Sequence, residues 1–376
     1  MRDKYKSNKA VSLALLAVML LAAFPAEGAV NGPKMKVYSF EEVGEIAQLN
    51  SGDVIRQKVS VKQAEQNKTS QLSNYQDQVY NYYNDPDSTI TESSLYSLQE
   101  SYEDARADYL DAEKTMENLK PKVAYQAQKL YLDILQGERQ IGIQELEIQR
   151  LKGEYDLARI KTAFGAFTQT QLNNVKIQWE NALDTLDNLK TTQQANRDAM
   201  REYLALDDGA EFGLEDPPSI GEYTNVFDED AVMADALKNS IALKQAQKEV
   251  DELGDNVARF EREGQQSQAD RLAASAPGKE LALKETRQSL IKTVEKTLKD
   301  YGSLESALVK AGESLASSQK ALATTRMKLN MGISTLNDVR AAEKAVLSAE
   351  KDVAQAQYNC YLGAKKVSLL KDGVLV

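Results

Sequence analysis

Apolar side chains recur at steps of three and four residues along most of the chain, which is the spacing of an α-helix that buries one face. Two stretches show the pattern most clearly. The first has Leu172, Val175, Trp179, Ala182, Leu186 and Leu189 at its apolar positions, and the second has Val339, Ala342, Val346, Ala349, Val353, Ala356, Cys360, Gly363, Val367 and Leu370. This spacing is the seam of a coiled coil, in which long helices lie side by side.

The same short segment precedes both seams. Gly165 and Gly332 lie 167 residues apart, and each has an Arg six residues before it and a Lys four residues before it. The two arginines, Arg159 and Arg326, are interpreted as surface charges that pair along the helices. Because glycine adopts the left-handed backbone that ends a helix, the pattern predicts two hairpin tips, at 164–168 and 331–335.

The repeated tips predict an all-α tandem duplication of long antiparallel helical hairpins, with little or no β-structure. The first repeat covers 29–206, the linker 207–227 and the second repeat 228–376. In each repeat a shorter helix and a break precede a long helix, the tip and a returning helix. Helices so long need lateral neighbours, which favours a homo-oligomer.

Local signals place the helix ends. Ser39 followed by Glu42 has the spacing of a capping box and predicts a helix start. A long helix is expected from Glu92 to Ala163, kinked or divided at Pro121. Asn50-Ser51-Gly52 is expected to interrupt the first helix, and Asn239-Ser240 resembles it in position within a helical stretch expected over 228–261. A polar break is expected over 263–278, and another long helix from Lys279 to Asn330. Asp207-Asp208-Gly209, Gly213 and Pro217-Pro218 argue against regular structure in the linker.

The amino-acid composition limits the kinds of functional site that the chain can form. The chain has no histidine, one cysteine and a net charge of −11. Triads and zinc sites that need histidine are thereby excluded, and no catalytic, cofactor or metal site is predicted. The dispersed negative charge makes nucleic acid or an anionic membrane surface an improbable partner. Cys360 falls on the second seam, so a buried thiol is expected.

The first 28 residues have the pattern of a secretory signal peptide. Arg2, Lys4, Lys6 and Lys9 precede an apolar segment from Ala10 to Phe24, and small residues follow at Ala26 and Gly28. The alternative is an uncleaved membrane anchor, for which the apolar segment is short. The mature protein is therefore expected to be exported to the cell envelope.

The hairpin plan and both tips resemble those of the TolC-like outer-membrane efflux proteins over nearly the whole mature chain. Phe164-Gly165 with Thr170 and Leu172, and Met331-Gly332 with Asp338 and Val339, match the tip pattern of that family. The resemblance implies a homotrimer whose helices enclose a hollow α-barrel. It also implies a periplasmic adaptor (membrane-fusion) protein that contacts the tips, and an inner-membrane pump coupled to that adaptor.

The chain departs from this family at the breaks before the long helices, where the family has two strand hairpins that build a membrane β-barrel. The segment 80–91 is too short and too polar for such a hairpin, and 263–278 has no strand pattern. The barrel is therefore predicted to be absent or vestigial, which leaves membrane association open. At the gate, Ala341 and Ser334 stand where the family can have an acidic and a basic residue.

The resemblance assigns adaptor contacts to Phe164, Gly165, Ala166, Phe167, Met331, Gly332, Ile333 and Ser334, and a possible pore constriction to Asp338 and Thr170. Simpler interpretations stand beside these assignments. The glycines permit a turn, the apolar tip residues pack on a neighbouring hairpin, and Asp338 starts a helix. Two functions follow: an exit-duct subunit of an efflux or secretion system, or a structural coiled-coil spacer without a lumen.

Overall fold

The computed structural model describes residues 36–85, 88–215 and 227–376, which are almost entirely helical. The elements are β1 (Lys36–Tyr38), α1 (Phe40–Asn50), α2 (Gly52–Asn84), α3 (Glu92–Ala163), α4 (Gln169–Leu204), β2 (Phe212–Leu214), α5 (Glu229–Asn239), α6 (Ile241–Arg262), α7 (Gln266–Ala273), α8 (Ala276–Asn330) and α9 (Leu336–Lys371). The predicted all-α fold with little β-structure is confirmed. The predicted signal peptide lies outside the described residues.

The two halves follow one plan, with the same positions buried in each. Val123, Ala127 and Ile134 on α3 are buried beneath α1, and Leu290, Val294 and Tyr301 on α8 are buried beneath α5. Each residue of the second set lies 167 residues after its counterpart, which is also the distance between the two tip glycines. The tandem duplication inferred from the tips therefore extends into the core.

The helical stretch expected over 228–261 is divided at Ser240, the position that resembles the predicted interruption at Ser51. The Ser240 hydroxyl accepts a hydrogen bond from the Leu243 amide at 3.3 Å and begins α6. Ser51 begins α2 in the same way, with its hydroxyl 3.2 Å from the Val54 amide. Both serines are buried, so tertiary packing holds these breaks in place. A side-chain cap replaces the hydrogen bonds that the helix loses there.

Pro121 does not divide the long helix, since α3 runs unbroken for 72 residues, about 108 Å at 1.5 Å per residue. Proline removes one backbone donor and crowds the preceding turn. In α3 that local cost is offset by packing against four other helices, α1, α2, α4 and α9. The sequence around Pro121 indicates the local cost of the proline, but it does not indicate the packing that offsets that cost.

Two further segments are more regular than expected. Residues 263–278 contain α7 and the first turn of α8, with Ala269 buried where α7 packs on α6. The predicted linker 207–227 contains β2, which pairs in parallel with β1 in the register Lys36 to Phe212 and Tyr38 to Leu214. Phe212 is fully buried, so a contact distant in sequence orders this strand. Residues 216–226 lie outside the described part of the chain.

Four helices form a layer in the half of the molecule that carries the tips. Helix α4 packs on α3, α3 packs on α9, and α9 packs on α8, so the order across the layer is α4, α3, α9, α8. The outer helices α4 and α8 each bury a single stripe over this half. The layer therefore has two open edges. Within the described residues, no helix is long and apolar enough to cross a membrane.

Candidate functional site at the two hairpin tips

The first tip reverses the chain between α3 and α4 with a glycine-ended helix. Gly165 has φ of +72°, in the left-handed region. The amide of Ala166 donates to the Lys161 carbonyl at 2.8 Å, and the Gly165 amide donates to the Thr162 carbonyl at 3.0 Å. This hydrogen-bond pair is a Schellman motif, which satisfies the last carbonyls of a helix.

The second tip repeats this geometry between α8 and α9. Gly332 also has φ of +72°. The Ile333 amide donates to the Lys328 carbonyl at 2.8 Å, and the Gly332 amide donates to the Leu329 carbonyl at 2.9 Å. At both tip glycines an added Cβ would meet no heavy atom within 4 Å. The glycines are therefore required by backbone conformation, and the space beside them is open on this chain.

A threonine three residues after each tip glycine begins the returning helix. Thr168 forms a capping box with Gln171, and Thr335 forms one with Asp338. The Thr335 amide donates to Asp338 Oδ2 at 2.7 Å, and the Asp338 amide donates to the Thr335 hydroxyl at 3.2 Å. Thr168 and Thr335 lie within the predicted tips, but their capping role and that of Gln171 were not predicted, although a threonine followed three residues later by glutamine signals such a cap.

Asp338 therefore has a structural role at the start of α9. The hydrogen bond from the Thr335 backbone, together with that from its side chain, lowers the pKa of the Asp338 carboxyl. Thr170, the other predicted constriction residue, lies exposed in the first turn of α4. By the 167-residue repeat, the counterpart of Asp338 is Gln171 rather than Thr170. Within a single chain, Thr170 and Asp338 therefore have different local environments.

Most side chains assigned to adaptor contact are exposed. Phe164 is 85% exposed, Ile333 71% and Met331 63%, whereas Phe167 and Ser334 are half-buried. Gly165, Ala166 and Gly332 are exposed as well. Large apolar side chains at this exposure on the end of a rod form the kind of surface that a partner covers.

The two tips are held side by side by a polar ladder between α3 and α9. Three contacts form its rungs, and successive rungs lie seven residues apart on both helices: Lys351 Nζ to Gln140 Oε1 at 3.0 Å, Lys344 Nζ to Glu147 Oε2 at 3.1 Å, and Asn337 Nδ2 to Glu154 Oε1 at 3.3 Å. This is the spacing of a coiled-coil interface. The ladder fixes the relative height of the tips.

Arg150 reinforces the middle of the ladder. Its guanidinium donates two hydrogen bonds to Glu147, both at 2.8 Å, and one to Glu154 at 2.5 Å. The Arg150 hydrogen bonds, followed by those from Lys344, lower the pKa of Glu147 to about 2. Arg326, predicted to pair along its own hairpin, bridges α8 and α9 by a 2.8 Å contact with Glu343.

The predicted seams are the buried stripes of the returning helices. On α4, from 171 to 190, the six predicted positions are the ones that are not fully exposed. Trp179 stacks on Tyr155 of α3 with ring centroids 5.6 Å apart, which agrees with packing rather than recognition. Cys360 is buried on α9, as expected, and its burial raises the pKa of the thiol.

Comparisons with known proteins identify the fold. No protein-family profile matches the chain, and no curated protein matches it by sequence. Solved structures do match. The outer-membrane channel OprN is similar with a TM-score of 0.62 and 12% identity, over 89% of this chain and 90% of that one. The CmeC outer membrane channel of Campylobacter jejuni gives 0.61 and 12%, over 89% and 86%.

The open state of the MtrE outer membrane channel of Neisseria gonorrhoeae is also similar, with a TM-score of 0.57 and 14% identity over 89% of each chain. At such low identity the likeness is one of fold. It extends over both repeats, because about nine-tenths of this chain takes part in each match. The chain therefore has the TolC-like fold of these outer-membrane channels.

Proposed function

We propose that this chain is the exit-duct subunit of a tripartite efflux or secretion system, and that three copies enclose a helical conduit in the cell envelope. The observation that carries the proposal is the four-helix layer with open edges at α4 and α8. The TolC-like fold supports it, since the proteins that share this fold are outer-membrane channels.

An open layer needs neighbours at both edges. On α4, Ile177 is 52% exposed and Leu183 39% exposed, and on α8 Val309 is 63% exposed. If the α4 edge of one copy meets the α8 edge of the next, the contact joins two different surfaces of the same chain. Contacts of this kind close into rings when the rotation between copies permits it. The number three follows from the resemblance, and the curved layers then surround a water-filled passage.

The tips supply the proposed contact with an adaptor protein. Each copy would present two Schellman turns at the same end, with Phe164 on one and Met331 and Ile333 on the other. An adaptor that covers these apolar side chains would bury surface that is exposed in the isolated chain, and that burial would favour binding. Through the adaptor the conduit would be coupled to an inner-membrane pump. The conduit itself needs no chemistry, and we propose none for it.

The assembly is tested by imaging. The full mature chain should sediment as a trimer, and particles viewed down the long axis should show a ring of helices around a central hole. The competing function, a coiled-coil spacer without a lumen, predicts a solid rod in the same view. A monodisperse monomer, or an oligomer with a protein-filled centre, would contradict the conduit.

The role of the tips is tested with Gly332→Asn. Asparagine tolerates the left-handed backbone, and its Cβ meets no atom of this chain, so the fold should be retained. Capture of adaptor proteins from the same organism should fall, because the asparagine side chain would occupy the open space beside residue 332 that an adaptor would enter. The matched control is Gly312→Asn, at an exposed glycine within α8 whose Cβ also meets no atom. Equal capture by both variants would refute the docking role.

A further inference from the structure

The end of the molecule opposite the tips carries an unusual surface, formed by the end of α2 and the start of α3. Among the described residues 69–85 and 88–105 there are six tyrosines and six carboxylates, and there is no lysine or arginine. We call this segment the tyrosine end. Its tyrosines are Tyr75, Tyr80, Tyr82, Tyr83, Tyr96 and Tyr102.

Two of these rings project from the last turns of α2. Tyr80 is 66% exposed and Tyr83 is 76% exposed, and their spacing of three residues places them side by side on one helix face. Tyr82 packs edge-on against Tyr83, with ring centroids 5.0 Å apart, and so limits its motion. Asp77 lies one turn before Tyr80 and is exposed as well. Paired exposed aromatic rings beside a carboxylate are typical of a protein-binding surface.

The same hairpin shows which group these rings attract. The Lys68 ammonium lies 3.7 Å from the centroid of the Tyr109 ring, between α2 and α3. The Arg259 guanidinium, on α6, donates a hydrogen bond to the Tyr96 hydroxyl at 3.0 Å. Both are cations of this chain that contact its tyrosines, Lys68 over the ring face and Arg259 at the hydroxyl, and Lys68 gives the precedent for a cation on the ring. Near Tyr80 and Tyr83 the hairpin's own described sequence supplies no such cation, whereas Asp77 precedes them and Asp85 follows them in the chain.

We propose that the tyrosine end docks a lysine- or arginine-rich surface of a partner protein, with Tyr80 and Tyr83 receiving the cations. The carboxylates supply attraction at long range, and the rings supply cation–π contacts at short range. A second copy of this chain is a poor occupant, because its own tyrosine end would bring no lysine or arginine. An anionic lipid surface would be repelled in the same way. A neutral glycan would stack on the rings but would leave the carboxylates unused.

The test measures binding of a synthetic 20-residue peptide of alternating Lys and Ala to the full mature chain, at about 150 mM salt. Tyr80→Ser with Tyr83→Ser should weaken binding about tenfold, which corresponds to two exposed cation–π contacts. Tyr80→Phe with Tyr83→Phe should bind like the original, because the ring and not the hydroxyl makes the contact. The matched control is Leu49→Ser with Glu45→Gln on α1, which removes an exposed apolar side chain and an exposed carboxylate far from this end.

The proposal is overturned if the Ser pair binds the peptide as well as the original does, or if the control loses as much affinity as the Ser pair. It is also overturned if the Ser pair instead loses binding to phosphatidylcholine vesicles or to chitotetraose, since either result would assign the rings to lipid or glycan. Circular dichroism of each variant checks that the helices remain. The proposal does not rest on the conduit, because no readout here involves the tips or a lumen.

Discussion

The ladder between α3 and α9 makes a quantitative prediction, centred on Glu147. Both oxygens of this carboxylate are engaged, Oε1 by Arg150 and Oε2 by Arg150 and Lys344. Only 16% of the side chain is exposed, so water replaces these partners poorly. Glu147→Gln keeps the shape and removes the charge. It leaves Lys344 and Arg150 without their shared counter-ion at the contact that joins the two repeats.

The magnitude follows from the pKa of Glu147. A fall from 4.5 to about 2 corresponds to about 3 kcal/mol of preference for the charged form. Because the partner Lys344 is 37% exposed, solvent screening reduces the share realised as folding stability to ~1–2 kcal/mol. Lys344→Met alone should cost ~0.5–1 kcal/mol, since Arg150 still neutralises Glu147. The double variant should recover ~0.5–1 kcal/mol relative to the sum of the two singles.

The sign with pH is determined by the direction of the pKa shift. The pKa of Glu147 is lower in the folded chain than in the unfolded chain, so the contribution is complete above about pH 4.5. It is lost progressively as the pH falls from about 4.5 to about 2. The difference in unfolding free energy between the original chain and Glu147→Gln should shrink over that window and stay constant from pH 6 to 8.

The assay is urea unfolding followed by circular dichroism, at one fixed protein concentration because assembly shifts the midpoint. The matched control is Glu252→Gln, which breaks an exposed pair with Lys248 on α6 alone and should cost ~0.5 kcal/mol or less. The reasoning is refuted if Glu147→Gln costs no more than Glu252→Gln. It is equally refuted if the cost of Glu147→Gln is as large near pH 2.5 as at pH 7.

Three further outcomes are expected. Gly332→Ala should lower the free energy of unfolding by ~1 kcal/mol, because a left-handed φ strains alanine although its methyl group meets no neighbour. Urea unfolding measures this cost, and a cost equal to that of Gly312→Ala would contradict the prediction. Thr335→Ala should lower the free energy of unfolding by ~1 kcal/mol and raise the pKa of Asp338. The reason is that the Asp338 carboxyl loses its hydrogen bond from the Thr335 hydroxyl, while the bond from the backbone amide remains. NMR titration measures the pKa, and an unchanged pKa would contradict the prediction. Cys360 should resist maleimide in the folded chain and react in urea, because it is buried with a raised thiol pKa, and fast labelling of the native chain would contradict its packing.

Sequence by itself determined most of the long helices, the seams and the two tip turns, because each depends on residues close together in the chain. The stripe on α4, the Schellman turns at Gly165 and Gly332, and the ends of α3 follow from side-chain periodicity and from glycine's tolerance of a positive φ. The same repeat distance of 167 residues relates buried positions in the two cores. Ala127 packs against α1, and Val294, 167 residues later, packs against α5.

Tertiary structure alone decided which elements meet. The pairing of β1 with β2 joins Tyr38 to Leu214 across the whole first repeat, and no local signal in a linker rich in turn residues announces it. The unbroken course of α3 through Pro121 depends on neighbours that offset a local cost. The order α4, α3, α9, α8 is likewise a property of packing, since two amphipathic hairpins with similar seams can associate through several faces. The polar ladder at Glu147 and Lys344 selects one of them.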